Sequence, residues 1–329
     1  MTTGDAEEAI AVARRAIQEA PTAADRARAL TALASGLRSG GHALEGAETA
    51  GRAASSFHER DDELAAARAQ RLAADCLADA DRHEDALGLL KRARRVFVAH
   101  DVTGPDAAGT EVAAARSLRA LGHASASSQA LHRAERAFTA AGMPVRAAVC
   151  RLDRAVLLHD DGDVADAIAL LVEAHRTFTT HRRPDLAAVG DFDLGVALLD
   201  DGQAEDAIER FVRARGIFSS LDRRADEAAC DLNMGVALHA LGRTDEARHA
   251  LRRARTAFRD LGRDRDAEQA EHDLDVLDGL VDPDTAELSV LRILGEVPGD
   301  VKDLAARLDE ETVDVSDSGP PPPPSRPRD

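Results

Sequence analysis

The sequence contains no tryptophan and no tyrosine, and phenylalanine, with eight copies, is its only aromatic residue. A module that stacks nucleic-acid bases needs exposed aromatic faces, so this composition argues against base stacking. Lysine is nearly absent: Lys91 and Lys302 are alone among 42 basic residues, which face 60 acidic ones for a formal charge of −18. That balance opposes non-specific phosphate binding. The basic residues that remain are arginines, whose planar fork suits carboxylate pairing. Three cysteines, Cys76, Cys150 and Cys230, lie far apart without any C-x-x-C pair. They argue against a disulfide framework or a zinc knuckle and fit a reducing compartment. No run of about 18 apolar residues is available to span a membrane. The acidic start, Met1 to Glu8, lacks the pattern of a signal peptide, so a cytoplasmic location without membrane partners is expected.

Motifs of catalysis are missing too. There is no G-x-G-x-x-G, no G-x-x-x-x-G-K and no H-E-x-x-H, and no histidine is identifiable as the base of a cysteine nucleophile. The expectation is a protein without catalysis, cofactor or metal, in which the cysteines act as small buried hydrophobes.

What the sequence does have is a period. Phe57, Phe97, Phe138, Phe178, Phe218 and Phe258 are spaced by 40, 41, 40, 40 and 40 residues, and Ile17 lies one step earlier. Four residues before each stands an alanine: Ala13, Ala53, Ala93, Ala134, Ala174, Ala214 and Ala254. A larger apolar residue usually lies three before that, as in Ile10, Leu90, Leu131, Leu171, Phe211 and Leu251. Spacings of three and four place these on one helical face, so each repeat contains an amphipathic second helix. Upstream, Leu194-Gly195-Val196-Ala197-Leu198 and Met234-Gly235-Val236-Ala237-Leu238 mark a first helix. Gly122, Gly162, Gly202 and Gly242 stop it. The small residue at Ala155, Gly195 and Gly235, matched by Ala167, Ala207 and Ala247, lets the paired helices approach closely. Such a hairpin buries its apolar face only by stacking on neighbours.

On these residues the repeat resembles the tetratricopeptide repeat, in the long version of about forty residues found in kinesin light chain and bacterial regulators. The small positions Gly195, Ala207, Ala214, Gly235, Ala247 and Ala254 match. Leu158, Leu198 and Leu238 stand where the family commonly has a tyrosine, and the first two repeats, with Gly46 and Ala50, are degenerate. The resemblance implies an all-α fold, a right-handed α-solenoid of stacked helical hairpins.

The expected organisation is a capping helix over 1–20, closed by Pro21, and a repeat array over 21–282 that ends in a polar capping helix with Asp275 and Asp278. A short helical segment follows over 283–312. Its two apolar stretches faintly resemble the start of a winged helix-turn-helix, but acidic Asp309-Glu310-Glu311 follows and no recognition helix does, so packing against the array end is expected. Over 313–329 the consecutive prolines Pro320 to Pro324 predict an extended tail.

The basic clusters at Lys91 to Arg95 and Arg252 to Arg255 fall in the second half of second helices that begin with acids, such as Glu84-Asp85 and Asp245-Glu246. They follow the helix dipole, and no nucleic-acid partner is expected. In the resembling family the concave groove is lined by first-helix residues. Carried onto this chain, that implies Asp153, Asp193 and Asn233; Val156, Val196 and Val236; and Asp160 and Asp200. His159, Leu199 and His239 lie beside them, and Phe192 precedes them. This mixed acidic and apolar set predicts a protein or peptide partner with basic residues. A scaffold or adaptor is the leading reading and a ligand- or peptide-sensing regulator the alternative. A homo-oligomer is compatible with the degenerate first repeats but not indicated.

Overall fold

The computed structural model describes residues 3–280, which form fourteen α-helices and, among the described residues, no strand. They divide into two compact units, up to Gln203 and from Ala204. The first holds α1 (Thr3–Glu19), α2 (Ala23–Ser39), α3 (Ala43–His58), α4 (Glu63–Asp79), α5 (His83–Ala99), α6 (Pro105–Ala120), α7 (Ala124–Ala140), α8 (Pro144–Asp160), α9 (Val164–Thr180) and α10 (Pro184–Asp200). The second holds α11 (Ala204–Ser220), α12 (Arg224–Ala240), α13 (Thr244–Asp260) and α14 (Asp264–Leu277). Within each unit consecutive helices pack as hairpins, and in the first unit α2 meets α4, α4 meets α6 and α8 meets α10. This is the all-α stacked-hairpin class that the forty-residue period implies. Residues 281–329, with the expected segments 283–312 and 313–329, lie outside the described residues.

The helices stop where the sequence supplies a residue that accepts a left-handed backbone. At Gly162, φ is +89°, and at Gly202 it is +79°. The Gly162 N–H donates to the His159 carbonyl at 3.0 Å and the Asp163 N–H to the Leu158 carbonyl at 2.9 Å, so orphan carbonyls at the end of α8 are satisfied by a Schellman pair. The same conformation recurs at Asp61, Asp81, Asp101 and Asp222, whose short polar side chain tolerates it, and at Arg182.

The packed face of the second helices is the predicted one. Leu171, Ala174 and Phe178 on α9 and Leu251, Ala254 and Phe258 on α13 are all at most 2% exposed. Each such phenylalanine stabilises by roughly 1.5–3 kcal/mol on burial. Close approach comes from glycine where the space is smallest. A Cβ on Gly235 of α12 would lie 2.6 Å from Leu251 Cγ, and one on Gly46 of α3 would lie 3.0 Å from Cys76 Sγ. Gly46 thus serves a tight contact of an early hairpin, and Ala50 on the same helix is fully buried. At the front, Ile10 and Ala13 of α1 pack with Leu33 and Leu37 of α2. On α14, Asp275 is half-buried and Asp278 exposed, and Arg248 of α13 lies 2.9 Å from Asp278.

Candidate functional site

Asp153 on α8 and Asp193 on α10 hold the same register in consecutive repeats, two residues before Ala155 and Gly195. Asp153 is half-buried, whereas Asp193 is only 4% exposed, and neither of its carboxylate oxygens has a hydrogen-bond partner. Burial pushes the Asp193 carboxyl well above the usual range, and the Asp153 charge adds to it. Burial also pushes Asp153 up to about 6, with the Arg119 guanidinium of α6 pulling the other way. A buried carboxylate without a compensating partner is costly, and the cost favours the neutral acid.

The other predicted residues divide by depth. Val156 and Val196, three residues beyond the two acids on their helices, are each 5% exposed, and Phe192 is fully buried. His159 and Leu199 are half-buried, and Asp160 and Asp200 are exposed at the ends of their helices. His159 Nε2 lies 2.8 Å from Asp200 Oδ2. In the second unit, Asn233 and Val236 of α12 are buried and His239 is exposed. Arg183 pairs with Asp185 at 2.8 Å.

Sequence reasoning missed a second system of charges, which links helices through a position that recurs every forty residues in the first helices α6, α8, α10, α12 and α14. Glu111 of α6 accepts from Arg133 of α7 at 2.9 Å and lies 2.9 Å from Arg94 of α5. Asp231 of α12 lies between Arg215 of α11 at 3.0 Å and Arg253 of α13 at 2.7 Å. Glu271 of α14 accepts from Arg255 of α13 at 2.9 Å, and Asp191 of α10 faces His175 of α9 at 3.2 Å. In one repeat the signs are exchanged: Arg151 of α8 reaches Glu135 of α7 at 2.7 Å and Glu173 of α9 at 3.5 Å. Arg154 adds a contact to Glu135 at 2.6 Å. Burial would raise the Glu135 carboxyl, but the two guanidiniums outweigh it and hold it below its ordinary range. Arginines of both basic clusters, Arg94, Arg253 and Arg255, are thereby committed to first-helix carboxylates. The signal was present in the forty-residue recurrence of Glu111, Arg151, Asp191, Asp231 and Glu271.

All three cysteines are buried, and burial pushes the Cys76 thiol up to about 12. Among the described residues no group of three or more His, Cys, Asp or Glu side chains could hold a metal ion. No described helix is long and apolar enough to cross a membrane.

A family model described as tetratricopeptide repeat matches residues 185–260. The match covers the four helices α10 to α13. Solved structures share the tetratricopeptide fold along most of the chain. BtubC (BKLC) from P. vanneervenii is 18% identical, with a TM-score of 0.56 over 78% of this chain and 92% of its own. The apo quorum sensor NprR from B. thuringiensis is 14% identical, with a TM-score of 0.58 over 90% and 77%. The Rap conjugation gene regulator of plasmid pLS20, in complex with the Phr* peptide, is 16% identical, with a TM-score of 0.51 over 95% and 87%. No curated protein matches the sequence. At such identities the shared property is the tetratricopeptide fold, and the charges described above belong to this chain's own sequence.

Proposed function

We propose that this tetratricopeptide protein is a non-enzymatic interaction scaffold that holds a partner peptide or protein segment against the first-helix face of α8 and α10. The observation that carries the reading is Asp193: a carboxyl 4% exposed, without a hydrogen-bond partner and next in register to Asp153. A cation from outside the chain would supply the missing hydrogen bonds and charge. The partner segment is therefore expected to present Arg or Lys, with apolar neighbours packing towards Val156 and Val196.

A second reading, a peptide-sensing regulator, draws support from two proteins of similar fold. One is a quorum sensor, and the other is a gene regulator holding a peptide. Both readings use the same face and differ in whether binding changes the conformation of the array.

Hexapeptide display against the wild-type chain, counter-selected on an Asp153→Asn/Asp193→Asn variant, tests the face. Recovered peptides enriched in Arg or Lys and lost on the variant support it. Peptides that bind both proteins equally move the site elsewhere. Small-angle scattering with a recovered peptide separates scaffold from sensor, because only the sensor changes dimensions.

A further inference from the structure

We propose that Asp153 and Asp193 form a proton-coupled cation receptor, in which one guanidinium or ammonium group of the partner binds both carboxyls and drives a proton from the pair into solvent. The inference rests on the proposed first-helix binding face and specifies how that face is regulated. The two carboxyls occupy one register on packed helices, separated by a single repeat, and buried Val156 and Val196 follow them three residues on. Few charges of the first unit can compensate them. From α6 comes Arg119, which acts on Asp153. From α8 comes Asp153 itself, which opposes ionisation of Asp193. On α9, His175 is engaged by Asp191, and along the same helices His159 is engaged by Asp200. The pair therefore holds a proton until a cation arrives, because Asp193 is buried without a hydrogen-bond partner and the Asp153 charge opposes its ionisation. Once the cation is in place the ionised forms gain a charge-assisted partner, and the proton leaves as H⁺ from a carboxyl oxygen while no covalent bond between heavy atoms changes.

The consequence is that acidification releases the partner. The probe is a fluorescein-labelled hexapeptide with one arginine among valines and alanines, beside a twin in which citrulline replaces the arginine. Affinity of the arginine peptide is expected to weaken about tenfold for each pH unit lowered between pH 7.5 and pH 5, the effect of one linked proton. Calorimetry at pH 7 in two buffers of different ionisation enthalpy should show proton release. Asp193→Asn should lower that release and flatten the slope without loss of helicity, since asparagine already occupies this register at Asn233. The citrulline twin should show no slope. Arginine-peptide affinity independent of pH, with the same heat in both buffers, would overturn the coupling and leave the binding face standing. Failure of the peptide to bind at any pH would overturn both.

Discussion

His159 of α8 pairs with Asp200 of α10 at 2.8 Å, and Arg38 of α2 pairs with Asp79 of α4 at 2.5 Å. Counted from the small residue of each first helix, both pairs join the fourth position of one repeat to the fifth of the next. The ends of consecutive first helices are thus tied by one recurring geometry, in which a nitrogen side chain of one repeat meets a carboxylate near the C-terminus of the next first helix. His159 and Asp200 already satisfy one another, whereas Asp193, about two turns deeper on α10, has no such offset. The proposed recognition chemistry concentrates there.

The exchanged signs around Arg151 predict a specific vulnerability. Arg151→Ala leaves Glu135 with one of its two guanidinium partners and should cost about 1–3 kcal/mol. Arg151→Asp, which restores the sign used by Asp191 and Asp231 in their repeats, should cost more than the alanine, because Glu135 and Glu173 then meet a like charge. Urea unfolding of both variants measures the difference. Equal costs would mean that Arg151 acts only through its packing.

The period of six phenylalanines made the hairpins legible, since burial of a periodic apolar face is a local property that spacing alone reports. The turns at Gly162 and Gly202 were legible for a similar reason, because few residues accept their backbone. Depth and pairing were not. Nothing in the spacing distinguishes Asp193, which is buried, from Asp200, which is exposed, as both follow the same helical face and differ in how far they lie from the helix end. Nor does composition reveal that Arg94 and Arg253 meet Glu111 and Asp231. Those contacts depend on stacking of neighbouring helices, and the acidic starts of second helices offered an equally good account of the charge pattern.

Glycine substitutions should separate tight from open positions. Gly235→Ala places a Cβ 2.6 Å from Leu251 Cγ and is expected to destabilise by about 1–3 kcal/mol through overpacking. Gly216→Ala, on the exposed face of α11 with nothing within 4 Å, should stabilise by roughly 0.5–1 kcal/mol through helix propensity. Thermal unfolding reads both shifts, and the same sign for the two would contradict the close approach of α12 and α13.

The combined contribution of Asp153, Asp193 and Glu135 to stability should peak near pH 4 and fall towards neutral pH. Asp153 and Asp193 have folded-state values raised above their unfolded ones, so their contribution is complete below about pH 4 and is lost as pH rises through about 6 and beyond. For Asp153, the rise from 3.8 to about 6 corresponds to on the order of 3 kcal/mol. Glu135 is lowered, so its contribution is present above its ordinary value of 4.5 and is lost as pH falls below it. Urea midpoints across the pH range test this, and Asp193→Asn should flatten the alkaline limb alone.

Cys76, Cys150 and Cys230 should resist thiol reagents in the folded chain, since burial raises all three thiols. Ellman titration is expected to find no fast-reacting thiol under native conditions and three after denaturation. A fast native reaction would place at least one of them at the surface.

Hydrogen exchange read by mass spectrometry, with and without the tightest hexapeptide from the display selection, tests most directly whether the face around Asp153 and Asp193 is the binding site. Added protection is expected in α8 and α10, absent in the Asp153→Asn/Asp193→Asn variant. Protection confined to second helices, or retained in full by the variant, would contradict this binding site.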